Sequence, residues 1–407
     1  MAPTALAPGG SLMPQPSHRI RSLLGGDGDG WTVFNRARRM KDAGVPVLEL
    51  TIGEHDIGTD AAILDEMHRA AHAGHTGYAA VPGIAALRDR IAKRLAEATG
   101  LPVTRDNVLV TPGGQAGLFA AHHAVLDEGQ AGLLIDPYYT TYPGTIRAVG
   151  GLPVPVSAHP ENGFQPQADD IARAAQQTGA RSLLINSPNN PTGAVYGAET
   201  LDGIARVAEA HDLWVISDEV YDSQVWSGRH LPFAGRAGMA ERTLTVGSMS
   251  KSHAMTGSRL GWVAGPAAVI EDLIQLATHT TYGVAGFIQE AALFALDLGA
   301  AAERDVAAPF RRRRDLLMAR LSGQQVLRAV PPEGAMYVMV DIRGTGMTGT
   351  GFAEALLDET QVAVMPGESF GAAAAGHVRV ALTLPDETFE TAIDRLVAFA
   401  AARADAA

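Results

Sequence analysis

The chain has 407 residues, a hydrophobic content of 46% and a formal net charge of −12, so we expect a globular protein with two domains or one large domain and a smaller one. The acidic balance disfavours a nucleic-acid surface, and the single dense basic run, residues 311–314, lies in an amphipathic helical pattern. The absence of cysteine excludes disulfides, thiolate metal sites and cysteine nucleophiles. No stretch approaches the roughly 20 apolar residues of a membrane span, and the first residues lack a signal-peptide pattern, so we expect a soluble, cytoplasmic protein.

The first two thirds of the chain alternate between helical and strand patterns. Residues 1–24 are rich in Pro and Gly and predict an extended N-terminal arm. A helical pattern over residues 32–43 is followed by a strand pattern over residues 47–52, and helical patterns such as 114–126 and 198–211 then lie between short apolar segments. The predicted strands of this region are 107–111, 131–136, 181–186, 213–218, 242–247 and 261–265. This alternation predicts an α/β fold with a mostly parallel sheet flanked by helices, which binds ligands at the carboxyl ends of its strands.

The pattern changes after about residue 265. Two long helical stretches are predicted over 267–298 and 301–322, then three strands and a last helix that begins at Asp386. The three strands are 335–342, 361–365 and 377–382. These segments predict a smaller α+β domain, completed by the N-terminal helix. The predicted division is a large domain of residues 60–290 and a small domain of residues 25–59 and 291–407.

One of the chain's three lysines stands in unusual surroundings. Lys41 and Lys93 lie in charged, helix-like segments, whereas Lys251 lies among small and hydroxyl side chains in GSMSKSHAMTGSRLGW, residues 247–262. A lysine in such a loop is either a surface residue or an amine that forms an imine with a carbonyl compound.

Three upstream segments place polar residues after strands. ISDEVYD ends a strand with Asp218, SPNNPTG over residues 187–193 is an Asn-Pro cluster, and TPGGQAGLF joins a strand to a helix through Gly113 and Gly114. Taken singly, the acid is typical of a helix N-cap, the Asn-Pro cluster of a turn, and the Gly-Gly pair is weak evidence for an anion site.

Together and in this order, the four segments resemble the class I/II aminotransferases, the pyridoxal-phosphate-dependent enzymes of fold type I in the aspartate aminotransferase superfamily. The resemblance extends from IGEHDIGTD, residues 52–60, to HVRVALTLPDETF, residues 377–389. It implies an aminotransferase that moves the amino group of an L-amino acid to a 2-oxo acid by a ping-pong mechanism. It also implies pyridoxal 5'-phosphate as the cofactor and a homodimer as the assembly.

The resemblance gives roles to individual residues. Lys251 is implied to form the Schiff base with the cofactor and then to move a proton between substrate and cofactor. Asp218 is implied to keep the ring nitrogen protonated, and Tyr221 and Asn190 to hydrogen-bond the ring's 3-oxygen. The implied phosphate ligands and the residue stacked on the ring are Gly113, Gly114, Gln115, Ser248, Arg259 and Tyr139. No metal site is implied.

The resemblance also predicts how the substrate and a second subunit are bound. Arg379 is the only charged residue of the apolar strand HVRVAL, and it is implied to bind the substrate α-carboxylate together with Gly53 and Asn190. An edge-strand arginine that faces water is the alternative. Tyr78, in TGYAAVPG, matches a tyrosine that reaches the cofactor phosphate of the neighbouring subunit, which would place the active site at a dimer interface.

The sequence departs from the family pattern in two places. His55 follows Gly-Glu where the family usually has proline, and this histidine either contacts substrate or is merely tolerated. No motif-matched second arginine is present for a dicarboxylate side chain, and residues 276–291 are neutral except for His279 and Glu290. An apolar or small amino donor is therefore as compatible with the sequence as aspartate.

Three other functions are alternatives to an aminotransferase. A carbon–sulfur β-lyase of the same fold would use the same lysine, aspartate, tyrosine and arginine, and it is the alternative nearest to the aminotransferase. A ligand-sensing regulator would carry a DNA-binding domain ahead of this fold, for which about 30 residues are too few. A dinucleotide-binding enzyme requires a G-x-G-x-x-G segment after the first strand of a helix-flanked pair, and the sequence has none there.

Overall fold

The computed structural model describes residues 14–25 and 30–404. The helices are α1 His18–Arg21, α2 Thr32–Asp42, α3 Ala61–His72, α4 Ala85–Thr99, α5 Gly114–Val125, α6 Tyr142–Ala148, α7 Ala168–Thr178, α8 Ala198–Ala210, α9 Met249–Ser252, α10 Ala267–Thr278, α11 Gly286–Asp297, α12 Gly299–Leu321, α13 Gly349–Thr360 and α14 Asp386–Ala404. The strands are β1 Leu48–Leu50, β2 Val108–Thr111, β3 Ala131–Asp136, β4 Leu152–Ser157, β5 Ser182–Asn186, β6 Trp214–Asp218, β7 Thr243–Ser248, β8 Gly261–Ala264, β9 Arg328–Ala329, β10 Tyr337–Asp341, β11 Val362–Pro366 and β12 His377–Ala381.

Seven strands form the larger sheet, in the order β2-β8-β7-β6-β5-β3-β4. Strand β8 is antiparallel to both of its neighbours, and the other adjacent pairs are parallel. Strands β2, β3, β5 and β7 are buried along their whole length, which explains why they read as continuous apolar runs in the sequence. The predicted α/β fold with a mostly parallel, helix-flanked sheet is confirmed.

One strand of this sheet was not predicted. Strand β4 has the sequence LPVPVS, in which Pro153 and Pro155 interrupt the strand signal. It pairs with β3 alone and forms an edge of the sheet. Proline lacks a backbone N–H donor and is therefore tolerated in an edge strand, where one side of the backbone needs no partner.

Five strands form the smaller sheet, in the order β1-β11-β12-β10-β9. Strand β1 is parallel to β11, so a segment from the start of the chain completes a sheet made from its end. Helix α2 packs on the same sheet through Val33 and Ala37, which share a core with residues of β10, β11, β12 and α14. These helices and strands thus enclose a hydrophobic core at the smaller sheet.

The long helical stretch predicted over residues 267–298 is divided. Helix α10 ends at Thr278 and α11 begins at Gly286. Between them Tyr282 and Gly283 adopt positive φ values of 58° and 91°, which end helical geometry. The sequence prediction joined two helices because both are apolar and no proline separates them.

The predicted N-terminal arm is described only from residue 14. Residues 18–21 form one helical turn, α1, where an extended segment was expected. This part of the arm lies against α6, because Arg147 of that helix donates a hydrogen bond to the carbonyl of Leu23 at 3.2 Å. Residues 1–13 lie outside the described part of the chain. Among residues 14–25 and 30–404, none of the helices combines the length and apolar character needed to cross a membrane.

Candidate active site

A cavity of about 280 Å³ lies where the carboxyl ends of the larger sheet's strands face the smaller sheet. Its walls come from the ends of β5, β6 and β7, the start of α5 and strands β10 and β12. The sequence-predicted residues that line it are Gly53, Gly114, Gln115, Tyr139, Asn190, Asp218, Tyr221, Ser248, Lys251, Arg259 and Arg379. Residues nearly 330 positions apart are therefore brought into one chamber.

Lys251 lies in the one-turn helix α9, directly after β7. Ser248 caps this turn, because its Oγ accepts a hydrogen bond from the backbone N–H of Ser250 at 3.1 Å. The Lys251 Nζ donates to the carbonyl oxygen of Gly53. Burial lowers the pKa of the Lys251 amine, although the nearby Tyr337 and Glu54 oppose that shift. The amine therefore loses its proton more readily than an exposed lysine.

Asp218 ends β6 and is 4% exposed. The hydroxyl of Tyr142 donates to Asp218 Oδ2 at 2.7 Å, and the backbone N–H of Val220 donates to Oδ1 at 3.2 Å. Burial raises the pKa of this carboxyl to about 6, while both donors oppose the rise. No arginine, lysine or histidine of the described residues pairs with it within 4 Å. A cation brought next to Asp218 would therefore be bound strongly.

An asparagine holds two parts of the site together. The Asn186 side chain donates to the carbonyl of Asp218 at 2.9 Å and accepts from the backbone N–H of Asn190 at 2.8 Å. The amide oxygen of Asn190 accepts a hydrogen bond from Arg379 Nη1 at 2.8 Å. Because Arg379 takes the amide oxygen, the Asn190 side chain offers a ligand its NH₂ group, which is a hydrogen-bond donor.

The hydroxyl of Tyr221 lies 3.0 Å from the hydroxyl of Tyr337, and both side chains are buried. Burial raises the pKa of the Tyr221 phenol well above its usual value, and Tyr337 adds to this shift. The phenol therefore stays protonated and can donate a hydrogen bond. The sequence around Tyr337 carries no signal of a functional residue, because the segment has the pattern of an ordinary buried strand.

Arg379 is a buried guanidinium without a counter-charge. Its side chain lies between the rings of Tyr337 and Phe370, with the guanidinium carbon 4.3 and 4.4 Å from their centroids. It donates to Asn190 and to the carbonyl of Thr51, while its Nε has no hydrogen-bond partner. Among the described residues, no carboxylate oxygen lies within 4 Å of it. Burial lowers the pKa of this group, which remains a cation.

The opposite end of the cavity carries donors suited to an anion. Helix α5 begins at Gly114, with Gly113 as its N-cap at a φ of 81°. A Cβ added to Gly113 would lie 2.4 Å from Nη2 of Arg259, so only glycine admits the guanidinium at this distance. Arg259 uses Nη1 to donate to the Thr256 carbonyl at 2.8 Å. Gln115 is fixed by hydrogen bonds with Thr141 and Thr145 at 2.9 and 2.8 Å.

Of the tyrosines that the resemblance singles out, Tyr139 lies in the cavity and Tyr78 lies outside it. Tyr139 lines the cavity, and its ring meets that of Tyr142 edge-to-face at 5.7 Å between centroids. Tyr138 lines a neighbouring cavity of about 730 Å³ instead. Tyr78 does not line the cavity of its own chain. It is 93% exposed and lies edge-to-face with the partly exposed ring of Tyr282, 5.4 Å between centroids.

Sequence reasoning missed Tyr142, Asn186 and Tyr337. Tyr142 follows the predicted stacking residue Tyr139 by three residues, at the start of α6, and this proximity was the signal available in the sequence. The contacts of Asn186 and Tyr337 join segments 32 and 116 residues apart in the chain, and no local pattern reports them.

Comparison with known proteins places this arrangement among relatives. The sequence profile of the family described as "Aminotransferase class I and II" matches residues 45–396. An arginine–pyruvate transaminase of Pseudomonas aeruginosa is 41% identical over 379 residues, which cover 93% of this chain and 96% of that protein. An aspartate/prephenate aminotransferase of Thermus thermophilus is 38% identical over 363 residues, covering 88% and 92%. The solved structure of Thermus thermophilus aspartate aminotransferase with maleate has a TM-score of 0.89 at 36% identity, covering 95% of this chain and all of that one.

Proposed function

Because the chain belongs to the class I and II aminotransferases and is a pyridoxal-phosphate-dependent enzyme of amino-group transfer, we propose that the cavity around Lys251 is its active site. The observation that carries the proposal is an amine whose pKa is lowered by burial, in a chamber that also contains a buried carboxyl and a buried guanidinium, neither paired with an opposite charge among the described residues. Two opposite charges held apart without partners are costly unless a ligand supplies the missing charges.

The residues of the chamber fit the cofactor. Pyridoxal phosphate supplies an aldehyde that condenses with amines and a protonated pyridine ring that withdraws electrons. Lys251 is the amine for the aldehyde, and Asp218 is the carboxylate for the ring nitrogen. The hydrogen bond from Tyr142 fixes the Asp218 carboxylate for that contact.

The phosphate end is formed by Arg259 and the start of α5. Arg259 has no carboxylate within 4 Å among the described residues, and the backbone N–H groups of Gly114 and Gln115 lie at the helix N-terminus. A helix start and a guanidinium together favour a dianion. Gly113 and Ser248 complete this end, and Tyr139 is the ring that would stack on the cofactor.

The remaining residues bind and activate substrate. Arg379 binds the α-carboxylate of the amino or oxo acid, since it is a buried cation without a counter-charge. Tyr221 and the amide NH₂ of Asn190 donate hydrogen bonds at the cofactor's 3-oxygen. Once substrate has replaced it, the Lys251 amine would accept the proton of the substrate α-carbon and pass it to the cofactor carbon of the former aldehyde group, which its lowered pKa favours. The amino donor reacts first and the 2-oxo acid second, in a ping-pong cycle.

The charges of the cavity favour a donor with one carboxylate. Its three cations, Lys251, Arg259 and Arg379, each have a role in the proposal, and Glu54 is the lining carboxylate to which the proposal gives none. A neutral or cationic donor side chain fits this lining better than a second carboxylate. The relative from Pseudomonas aeruginosa, by its name, acts on arginine and pyruvate.

A homodimer is part of the same proposal. Tyr78 is an exposed aromatic residue that the family pattern brings to the neighbouring subunit's phosphate, and an exposed tyrosine pair is typical of an interface. We also propose the cytoplasmic location that the sequence predicts, and cell fractionation tests it.

The first experiment exploits the scarcity of lysine. Purified protein is mixed with pyridoxal phosphate, its visible absorption is recorded, and alanine, arginine and aspartate are added singly without an oxo acid. We expect Lys251→Ala to lose turnover by about a thousandfold or more, since covalent and proton-transfer roles disappear together. Lys93 is a surface lysine, and Lys93→Ala is the matched control. It should retain both the visible absorption of the bound cofactor and the turnover. Full turnover in Lys251→Ala would refute the assignment.

A further inference from the structure

His55 stands where the family usually has proline, and the structure places it against Lys251. It belongs to the loop after β1, in which Gly53, Glu54 and His55 are consecutive. The His55 Nε2 lies 3.0 Å from the backbone carbonyl oxygen of Lys251. The Lys251 Nζ donates to the carbonyl of Gly53. The same three-residue segment therefore contacts both the backbone and the amine of the lysine.

The protonation of His55 follows from these contacts. A carbonyl oxygen only accepts, so the imidazole must carry its proton on Nε2, which leaves Nδ1 as an acceptor. Nδ1 is buried and has no hydrogen-bond partner among the described residues. Burial, and secondarily the Lys251 charge, lower the pKa of His55 to about 4, so the ring is neutral near pH 7. His55 therefore acts as a neutral donor in this contact.

The loop that carries His55 is fixed on two sides. The imidazole meets the ring of Phe310 in α12 edge-to-face at 5.1 Å between centroids. The next residue, Asp56, accepts two hydrogen bonds from Arg313 of the same helix at 2.7 and 2.9 Å. On the other side, Thr59 donates to the carbonyl of Ala254 at 2.7 Å. The donor that meets Lys251 is thus held in place from both the smaller-sheet side and the lysine loop.

We propose that His55 is a positioning residue for Lys251. The Nε2–H of His55 fixes the backbone of Lys251, so that the Lys251 amine stays directed at its reaction partner. Gln224 Nε2 donates to the same carbonyl at 3.1 Å, so His55 supplies its second donor. Proline at position 55 could not make this bond, because its side chain has no donor. The inference rests on the proposed role of Lys251 and adds how this chain holds that residue.

The test measures the amine directly in the cofactor-free protein. His55→Phe keeps a ring against Phe310 but removes the donor, whereas His55→Gln retains an N–H donor. Each protein is pulsed with trace acetic anhydride at pH 8, and acetylation of the three lysines is quantified by peptide mass spectrometry. Lys93 is the internal reference, because its side chain is 69% exposed. We expect Lys251 labelling, relative to Lys93, to rise about 3- to 10-fold in His55→Phe, as the loss of one hydrogen bond predicts, and to return toward wild type in His55→Gln.

The holoenzyme gives a second readout, the rate of the first half-reaction with a saturating amino donor. It should fall about 3- to 10-fold in His55→Phe with the melting temperature unchanged, and recover in His55→Gln. Unchanged labelling and rate in His55→Phe would overturn the proposal. Equal changes in both variants together with a lower melting temperature would show a packing role and overturn it as well. If no donor reacts even with wild-type protein, the proposed function fails, while the labelling ratio still decides the role of His55.

Discussion

Two buried arginines of this chain differ in their partners, and the difference separates a structural charge from a binding one. Arg313 is 3% exposed and pairs with Asp56 and Asp386. Arg379 is 2% exposed, and its hydrogen-bond acceptors among the described residues are the Asn190 amide and the Thr51 carbonyl. A paired buried charge contributes to folding, whereas an unpaired one costs free energy in the empty protein and recovers it when an anion binds.

This contrast predicts that the same substitution has a large effect on stability at one arginine and a small one at the other. Arg313→Met should lower the free energy of unfolding by about 3–5 kcal/mol, since it leaves a carboxylate without its partner. Arg379→Met should change it by no more than about 1 kcal/mol, because the lost hydrogen bonds are offset by removal of the unpaired charge. Urea unfolding of the cofactor-free proteins measures both values.

A simple carboxylate completes the test of Arg379. Propionate at ten times its Kd should stabilise the wild type by about 1.4 kcal/mol and leave Arg379→Met unaffected. KM for the amino donor should rise about a hundredfold in that variant, the loss typical of a charge-assisted pair. A KM close to that of the wild type would show that the substrate carboxylate is bound elsewhere.

At the scale of elements, the junction of β2 and α5 depends on one glycine. Gly113 has a φ of 81° and leaves room for Arg259, which a Cβ would approach to 2.4 Å. Gly129 has nearly the same φ, 82°, but a Cβ there would meet nothing within 4 Å. Both positions therefore disfavour a non-glycine residue, and among the described residues a guanidinium lies beside Gly113 but not beside Gly129.

Alanine at each position separates the two effects. Both Gly113→Ala and Gly129→Ala should lower stability, by about 1–3 kcal/mol, because each glycine has a positive φ that an alanine adopts only with strain. Gly113→Ala alone should also weaken binding of pyridoxal phosphate, by about tenfold or more, because Arg259 is displaced from the helix start. Equilibrium titration of cofactor by absorbance measures the difference. Equal cofactor affinity in the two variants would exclude Arg259 from the phosphate end.

The same junctions explain what the sequence could predict. Asp218 ends a strand of the larger sheet, and Lys251 and Gly114 follow two other strands. Such strand ends are visible in the sequence as breaks in apolar runs. Their convergence in one cavity follows from parallel strands that end at the same edge. The roles of these residues came from the resemblance of the motifs, since each motif alone has an ordinary structural explanation.

The elements that prediction missed are those decided by tertiary context. Strand β4 contains two prolines and is accommodated because it lies at an edge. Helices α10 and α11 were joined in the prediction, and the turn at Tyr282 that separates them has no proline to mark it. The hydroxyl pair of Tyr221 and Tyr337 joins the two sheets across 116 residues. No local periodicity reports such a contact.

At the scale of the whole molecule, the segment after β1 connects the two sheets at the active site. Thr51 accepts a hydrogen bond from Arg379 of the smaller sheet, and Gly53 accepts one from Lys251 beside the larger sheet. Thr383 donates to the carbonyl of Ile52 at 3.1 Å. The Arg379 guanidinium and the Lys251 amine therefore contact one short backbone segment, which fixes their separation.

The proposed dimer predicts that two inactive variants restore each other. Tyr78→Phe would lack the hydroxyl offered to the neighbouring subunit, and Lys251→Ala would lack the amine of its own site. If Tyr78 acts across a twofold interface, a mixed dimer contains one site with both residues intact. Random pairing of equal amounts makes about half of the dimers mixed, so about a quarter of all sites should regain the wild-type rate.

The measurement is turnover of the two variants after co-expression with different affinity tags, with size-exclusion chromatography coupled to light scattering to establish the dimer. The control pair is Lys251→Ala with Arg379→Met, whose altered residues both belong to the cavity of one chain. Each cavity of that mixed dimer keeps one substitution, so neither site is intact, and turnover should not rise above the sum of the separate variants. Since Tyr78 lies outside the cavity of its own chain and is 93% exposed, restored turnover in the first pair requires its hydroxyl to act in the other subunit. Activity no greater than the sum of the separate variants, in a preparation whose mixed dimers are demonstrated by their tags, would refute a role of Tyr78 in the neighbouring subunit's site.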